Sequence, residues 1–195
     1  MTTATEIQRV SPILWSWNAY EPAVKCELTS HAVKTPEGLI LIDPIGLADP
    51  EAFGETPAAI LVTNAHHARA ALWWQERSGA RIVAPAAALA ELEIAPDVTL
   101  QDGEIAPGGF RVVALPGGAP GEAAYVGHGL CGVGDALIHL PSHGFALLPA
   151  KYCADAASLP NAVRKLLSYD FHILTFAHGA PLVDRARERL AQLLA

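Results

Sequence analysis

The sequence predicts a layered α/β fold, with sheets covered by helices. Short apolar or alternating runs of strand length recur along the 195 residues. Stretches with apolar residues at helical spacing interrupt them, and Gly- and Pro-rich turn signals separate many of the runs. The composition, 51% hydrophobic and 17% charged, fits a compact globular chain and excludes a disordered one. At this length the simplest organisation is one domain over residues 1–195 with a substantial core.

The strand-like runs are Ile13–Trp17, Lys25–Thr29, Leu39–Ile42, Ile60–Val62, Arg81–Ala84, Phe110–Ala114, Ala123–Val126, Leu137–Leu140 and Ile173–Phe176. Turns fall at Pro36-Glu37-Gly38, Asp102-Gly103, Pro107-Gly108-Gly109 and Pro116-Gly117-Gly118. A first helix is expected from His67 to Arg77, closed by Gly79. A second spans Leu159–Ser168, with Ser158 as its N-cap and Pro160 in the first turn. The third, Val183–Leu194, places Val183, Ala186, Leu190 and Leu193 on one face.

The formal net charge is −7 and there is no Lys/Arg run, which argues against nucleic acid and anionic membrane surfaces as partners. Cys26, Cys131 and Cys153 form no Cys-x-x-Cys pair and read as free thiols of a reducing compartment. The first residues lack the basic start and apolar stretch of a signal peptide. No segment approaches the roughly 18–20 unbroken apolar residues of a membrane span. A cytoplasmic protein is expected. One ring of Trp73-Trp74 should fill the core and the other mark a dimer contact or pocket wall, so a homodimer is considered.

Motifs in five places, in chain order, carry the functional signal. Gly38-Leu39-Ile40-Leu41-Ile42-Asp43-Pro44 is a strand ending in aspartate. Thr63-Asn64-Ala65-His66-His67-Ala68-Arg69 lies between a strand and a helix, and Leu115-Pro116-Gly117-Gly118-Ala119-Pro120-Gly121 is a glycine-rich loop. Gly134-Asp135-Ala136-Leu137 and Ala177-His178-Gly179 complete the series. In order and separation they resemble the metallo-β-lactamase superfamily over nearly the whole chain, in the manner of a small hydroxyacylglutathione-hydrolase-like or lactonase-like member. The resemblance implies a four-layer αβ/βα sandwich, two packed mixed sheets with helices outside. It also implies a His-x-His-x-Asp-His metal loop, here with Asn64, His66, Ala68 and Arg69 at the ligand positions, and Gly118 where a further histidine stands.

Carried over, the resemblance keeps His66, Asp135 and His178 as metal ligands and loses the rest. A dinuclear zinc centre is therefore not expected. A single zinc, iron or manganese ion on His66, Asp135 and His178 is the alternative, with Asp135 also orienting the attacking water. Arg69 stands at a vacated ligand position, where its permanent charge is expected to pair with Asp135 or a bound anion. Asn64, His67 and Glu122 join Arg69 as candidate ligand-binding residues. His67 should point about 100° away from His66, toward the surface, unless the loop register shifts and His67 replaces it. Glu122 reads as a solvated strand-end charge or as a carboxylate partner for Arg69 or a metal. His31, His128, His139, His143 and His172 lack ligand-like spacing, although His139 or His143 could reach the pocket rim. Tyr125 and Tyr152 read as core tyrosines, and Cys153 has no nucleophile arrangement. Two functions follow: a pseudoenzyme binding a small anionic ligand, or a single-metal hydrolase of an ester, thioester or lactone.

Overall fold

The computed structural model describes residues 1–195. The first half of the chain runs through β1 (Thr3–Ala4), β2 (Gln8–Arg9), β3 (Leu14–Glu21), β4 (Cys26–Thr35), β5 (Gly38–Ile42), β6 (Gly46–Leu47), β7 (Pro57–Leu61), α1 (Ala71–Ser78), β8 (Arg81–Pro85) and β9 (Val98–Leu100). The second half follows with β10 (Ile105–Ala106), β11 (Phe110–Ala114), β12 (Ala123–Gly127), β13 (Leu130–Val133), β14 (Leu137–Leu140), β15 (Gly144–Leu147), α2 (Leu159–Arg164), β16 (Ile173–Phe176) and α3 (Ala186–Leu193). No helix is long and apolar enough to cross a membrane.

A seven-stranded sheet has the order β2-β3-β4-β5-β7-β8-β9, and a five-stranded sheet the order β10-β11-β12-β13-β16. The first is antiparallel up to β5 and parallel beyond it. The second is antiparallel except where β16 returns parallel to β13. The β14–β15 hairpin stands apart, and β1 pairs with β6.

Strand alternation sorts the core into layers. In β5, Ile40 and Ile42 face the space between the sheets, where they meet Val33, Leu61, Val83, Phe110, Val112 and Tyr125. Leu39 and Leu41 face the other way, into a cluster that includes Ile60, Ile82 and Trp74 of α1. Beyond the second sheet, Val113, Ala124, Leu174 and Phe176 pack with Leu159 and Val163 of α2 and Leu190 of α3. These clusters give the order helix, sheet, sheet, helix. Burying a side chain such as Phe110 or Leu61 contributes about 1.5–3 kcal/mol.

The expected helices are present, with shifted ends. α1 is preceded by a 3-10 turn over Ala65–His67 and closes on Gly79, whose left-handed backbone lets its N–H reach the Gln75 carbonyl. Ser158 does not cap α2: its side chain makes no capping bond, and Asp155 Oδ1 accepts the N–H groups of Ala157 and Ser158 instead. Val183 lies before α3 and is exposed. Trp74 is buried, whereas the Trp73 ring is covered by the Arg77 guanidinium at 4.0 Å.

The topology also places the chemistry. β5, β7, β13 and β16 each lead, within a few residues of their C-terminal ends, to Asp43, Thr63, Asp135 and His178. Ligand sites in sheets with parallel strands form at such ends.

Candidate metal centre

The loop after β7 fixes the first group of side chains. Asn64 caps the 3-10 turn, its Oδ1 accepting the His66 N–H at 2.9 Å. The turn sends His66 outward, where it is exposed, and turns His67 inward, only 4% exposed. This reverses the expected assignment. His66 does not enter the site, and His67, expected to face the surface, is the histidine at its centre.

Asp43 anchors His67. Its backbone is left-handed at φ 47°, which turns the carboxylate back into the loop. Oδ1 accepts the Thr63 N–H at 2.8 Å, and Oδ2 accepts the Thr63 hydroxyl at 2.5 Å and His67 Nδ1–H at 2.8 Å. The opposite ring nitrogen, Nε2, faces Asp135 Oδ2 at 3.4 Å. His178 is arranged in parallel: Nδ1–H donates to the Glu27 carbonyl at 2.8 Å, and Nε2 faces Asp135 Oδ1 at 3.2 Å. Cys26 Sγ lies 3.4 Å from His178 Nδ1, behind the ring. Donor atoms of His67, Asp135 and His178 all fall within 4.8 Å of one another.

On its other side Asp135 is held by an amide. Asn64 Nδ2 donates to Asp135 Oδ2 at 3.1 Å and to Glu122 Oε2 at 2.8 Å. Glu122 Oε1 accepts the Ala136 N–H at 3.1 Å. Glu122 is therefore neither a solvated strand end nor a partner of Arg69. It is 3% exposed and braces Asn64 and the Asp135 loop. Gly134 is required here, since a Cβ would collide with Thr63 Oγ1 and lie 2.8 Å from Glu122 Oε1.

Arg69 does not contact Asp135. Its left-handed backbone, φ 40°, carries the guanidinium to three carbonyls: Thr29 at 2.7 Å, Asp43 at 3.0 Å and Ala177 at 3.1 Å. The expected ion pair is replaced by a tie among three chain segments, because the imidazoles already hold Asp135.

The electrostatics follow these contacts. Burial opposes charge on His67, but the carboxylates of Asp135 and Asp43 outweigh it and carry the pKa up to about 9. Burial likewise opposes ionisation of Asp135, yet His67 and His178 hold it well below the usual carboxylate range. Glu122 is pushed up to about 8 by burial and by the Asp135 charge.

Two ligand atoms bonded to one zinc ion, each about 2.1 Å from it, lie about 3.4 Å apart at the tetrahedral angle. The two Nε2-to-carboxylate separations, 3.4 and 3.2 Å, match that spacing. Asp43 and the Glu27 carbonyl are the outer partners that such imidazole ligands use. The residues present thus fit a single metal ion.

Of the other candidates, His139 lies at the rim of a cleft beside His178, and His143 is an exposed turn residue bonded to Ser142. Tyr125 is a core tyrosine whose hydroxyl donates to the Val62 carbonyl, but Tyr152 is exposed. Sequence reasoning gave no role to Thr63 or the Glu27 carbonyl. The i, i+4 spacing of Thr63 and His67 was the one available signal for a shared partner.

The sequence matches the family model of the metallo-beta-lactamase superfamily over residues 7–194, and the chain belongs to that superfamily. Its structure is similar to a metallo-beta-lactamase from Pontibacter korlensis, with 22% identity, a TM-score of 0.73 and coverage of 97% of this chain and 98% of that one. A beta-lactamase domain protein from Burkholderia ambifaria aligns with a TM-score of 0.71 at 16% identity, over 99% of this chain and 76% of that one. A metallo-beta-lactamase family protein from Thermus thermophilus aligns with a TM-score of 0.68 at 19% identity, over 95% and 79%. No curated protein matches the sequence.

Proposed function

We propose that the chain holds one divalent metal ion on His67 Nε2, the Asp135 carboxylate and His178 Nε2, and uses it to hydrolyse an ester, thioester or lactone. One observation carries this reading. Nδ1 of each ring faces an acceptor away from the centre, so Nε2, once it gives up its proton, turns a lone pair toward a carboxylate oxygen of Asp135. A divalent ion there takes the place of the proton that His67 otherwise holds between Asp43 and Asp135. Two imidazoles and a carboxylate suit zinc, iron or manganese.

A bound ion supplies Lewis acidity for hydrolysis. The rest belongs to the chain. Asp43 and the Glu27 carbonyl fix the two rings, and Asn64 fixes the carboxylate from the opposite side. The Asn64 amide nitrogen fills the space between Glu122 and Asp135 with a donor, which favours one ion over two.

A second reading is a small-molecule-binding protein without hydrolysis. It is favoured by His67, whose raised pKa of about 9 makes the ring itself a cation between Asp43 and Asp135. Elemental analysis separates the two, on protein purified without chelators and again after incubation with zinc, iron or manganese. The metal reading expects one equivalent, lost in His67→Ala and Asp135→Ala but retained in His66→Ala. No metal under any of these conditions overturns it.

A further inference from the structure

A cleft of about 590 Å³ opens at the edge of the sandwich, between β2–β4 and the β14–β15 hairpin. That size lies within the roughly 300–1,000 Å³ of small-molecule sites. It shares a wall with the metal centre, because Glu27, whose carbonyl holds His178, and Gly179, the next residue after it, both line the cleft.

The strand pattern changes character there. Leu14 of β3 and Val33 of β4 are paired and point between the sheets, into the apolar core. Along the same faces, two residues at a time, come Ser16 and Asn18 on β3 and His31, Thr29 and Glu27 on β4. A face that should continue apolar becomes polar where the cleft lies, and such departures concentrate at functional sites. Ser16 is only 7% exposed, and its hydroxyl has no hydrogen-bond partner within the chain. That hydroxyl opens to the cleft, where a ligand or water can bond it.

The charge of the lining is one-sided. Glu6 and Glu27 contribute carboxylates, and no lysine or arginine lines the cleft. His139 donates Nδ1–H to the Ala180 carbonyl, which leaves Nε2 of the neutral ring as a further acceptor. Asn18 donates to Glu27 Oε1 only at 3.4 Å, so the Glu27 carboxylate is not neutralised within the chain. We propose that this cleft binds a small molecule carrying a protonated amine, seated between Glu6 and Glu27 with a polar group at Ser16. Binding there does not require the metal.

The test is amide chemical-shift titration of isotope-labelled full-length protein with putrescine, and with adipate as the anion of similar length. It is run on metal-free and on metal-treated protein, so that failure of the metal reading leaves this result intact. Putrescine should shift the amides of Ser16, Asn18, Glu27 and Gly179, weakly at high salt, and adipate should not. Glu27→Gln should weaken putrescine about tenfold, the loss of one charged hydrogen bond. Glu6→Gln, at an exposed residue between β1 and β2 where folding is not at risk, should weaken it as well. The proposal is overturned if putrescine shifts none of these amides, if adipate shifts them equally, or if both variants bind with unchanged affinity.

Discussion

His67, in the turn after β7, and His31, on β4, are both buried, yet their environments drive them in opposite directions. His67 lies between two carboxylates and is carried up to about 9. His31 donates Nε2–H to the Phe176 carbonyl, leaves Nδ1 without a partner, and is lowered by burial to about 4. Burial alone favours the neutral ring. The difference is therefore made by Asp43 and Asp135, and it shows how a fold writes a site onto its own strand ends: not by exposing a residue, but by surrounding a buried one with charge.

The largest effect expected from breaking this contrast is at His67. His67→Ala leaves Asp43 and Asp135 buried without their cation, at a cost of about 3–5 kcal/mol measured by urea denaturation of metal-free protein. An unchanged midpoint would mean the two carboxylates are already satisfied by solvent. His31 comes next, through pH. Its folded pKa lies below its unfolded value near 6.5, so below about pH 6.5 the folded state binds fewer protons than the unfolded one. Stability is full above about pH 6.5 and falls by about 3 kcal/mol as the pH drops toward 4. His31→Leu should flatten that part of the stability–pH curve, and an unaltered slope would assign the acid sensitivity elsewhere.

Asp43→Asn probes the anchor with little change in volume. Metal affinity should fall about 10–100-fold, as found when outer partners of ligating histidines are removed. Titration against a competing chelator reads it, and unchanged affinity would show that Asp43 does not orient the ring. The smallest effect is expected at Gly118, where a Cβ would meet nothing nearer than 3.6 Å. Gly118→Ala should change stability by no more than about 1 kcal/mol. A larger loss would mean that this loop cannot move away from the centre.

Most of the architecture was legible in the sequence. Phe110–Ala114, Leu137–Leu140 and Ile173–Phe176 appear as strands with the bounds read from their apolar runs. β13 escaped notice because Leu130–Val133 is a four-residue strand broken by Gly132, too short to show alternation. The site was legible only in part. Asp135 and His178 were found because they follow strands in recognisable order. The choice between His66 and His67 depended on a 3-10 turn that Asn64 caps, and propensity does not reveal how such a turn aims its side chains. Arg69 was misread because charge was weighed without backbone geometry: three carbonyls compete for its donors, and no sequence motif announces them.

Arg69 also sets an order of assembly. Two of its acceptors, Thr29 and Asp43, come from the first quarter of the chain, but the third, Ala177, arrives with the last strand. A nascent chain can lay down the first sheet, with Asp43 and His67 already paired, long before His178 exists to complete the triad. Until then the guanidinium holds an unfinished clasp. The His67–Asp135–His178 group is thus completed only after the first sheet, and a ribosome-stalled chain ending before residue 173 should fold its first sheet yet lack the third member of that group.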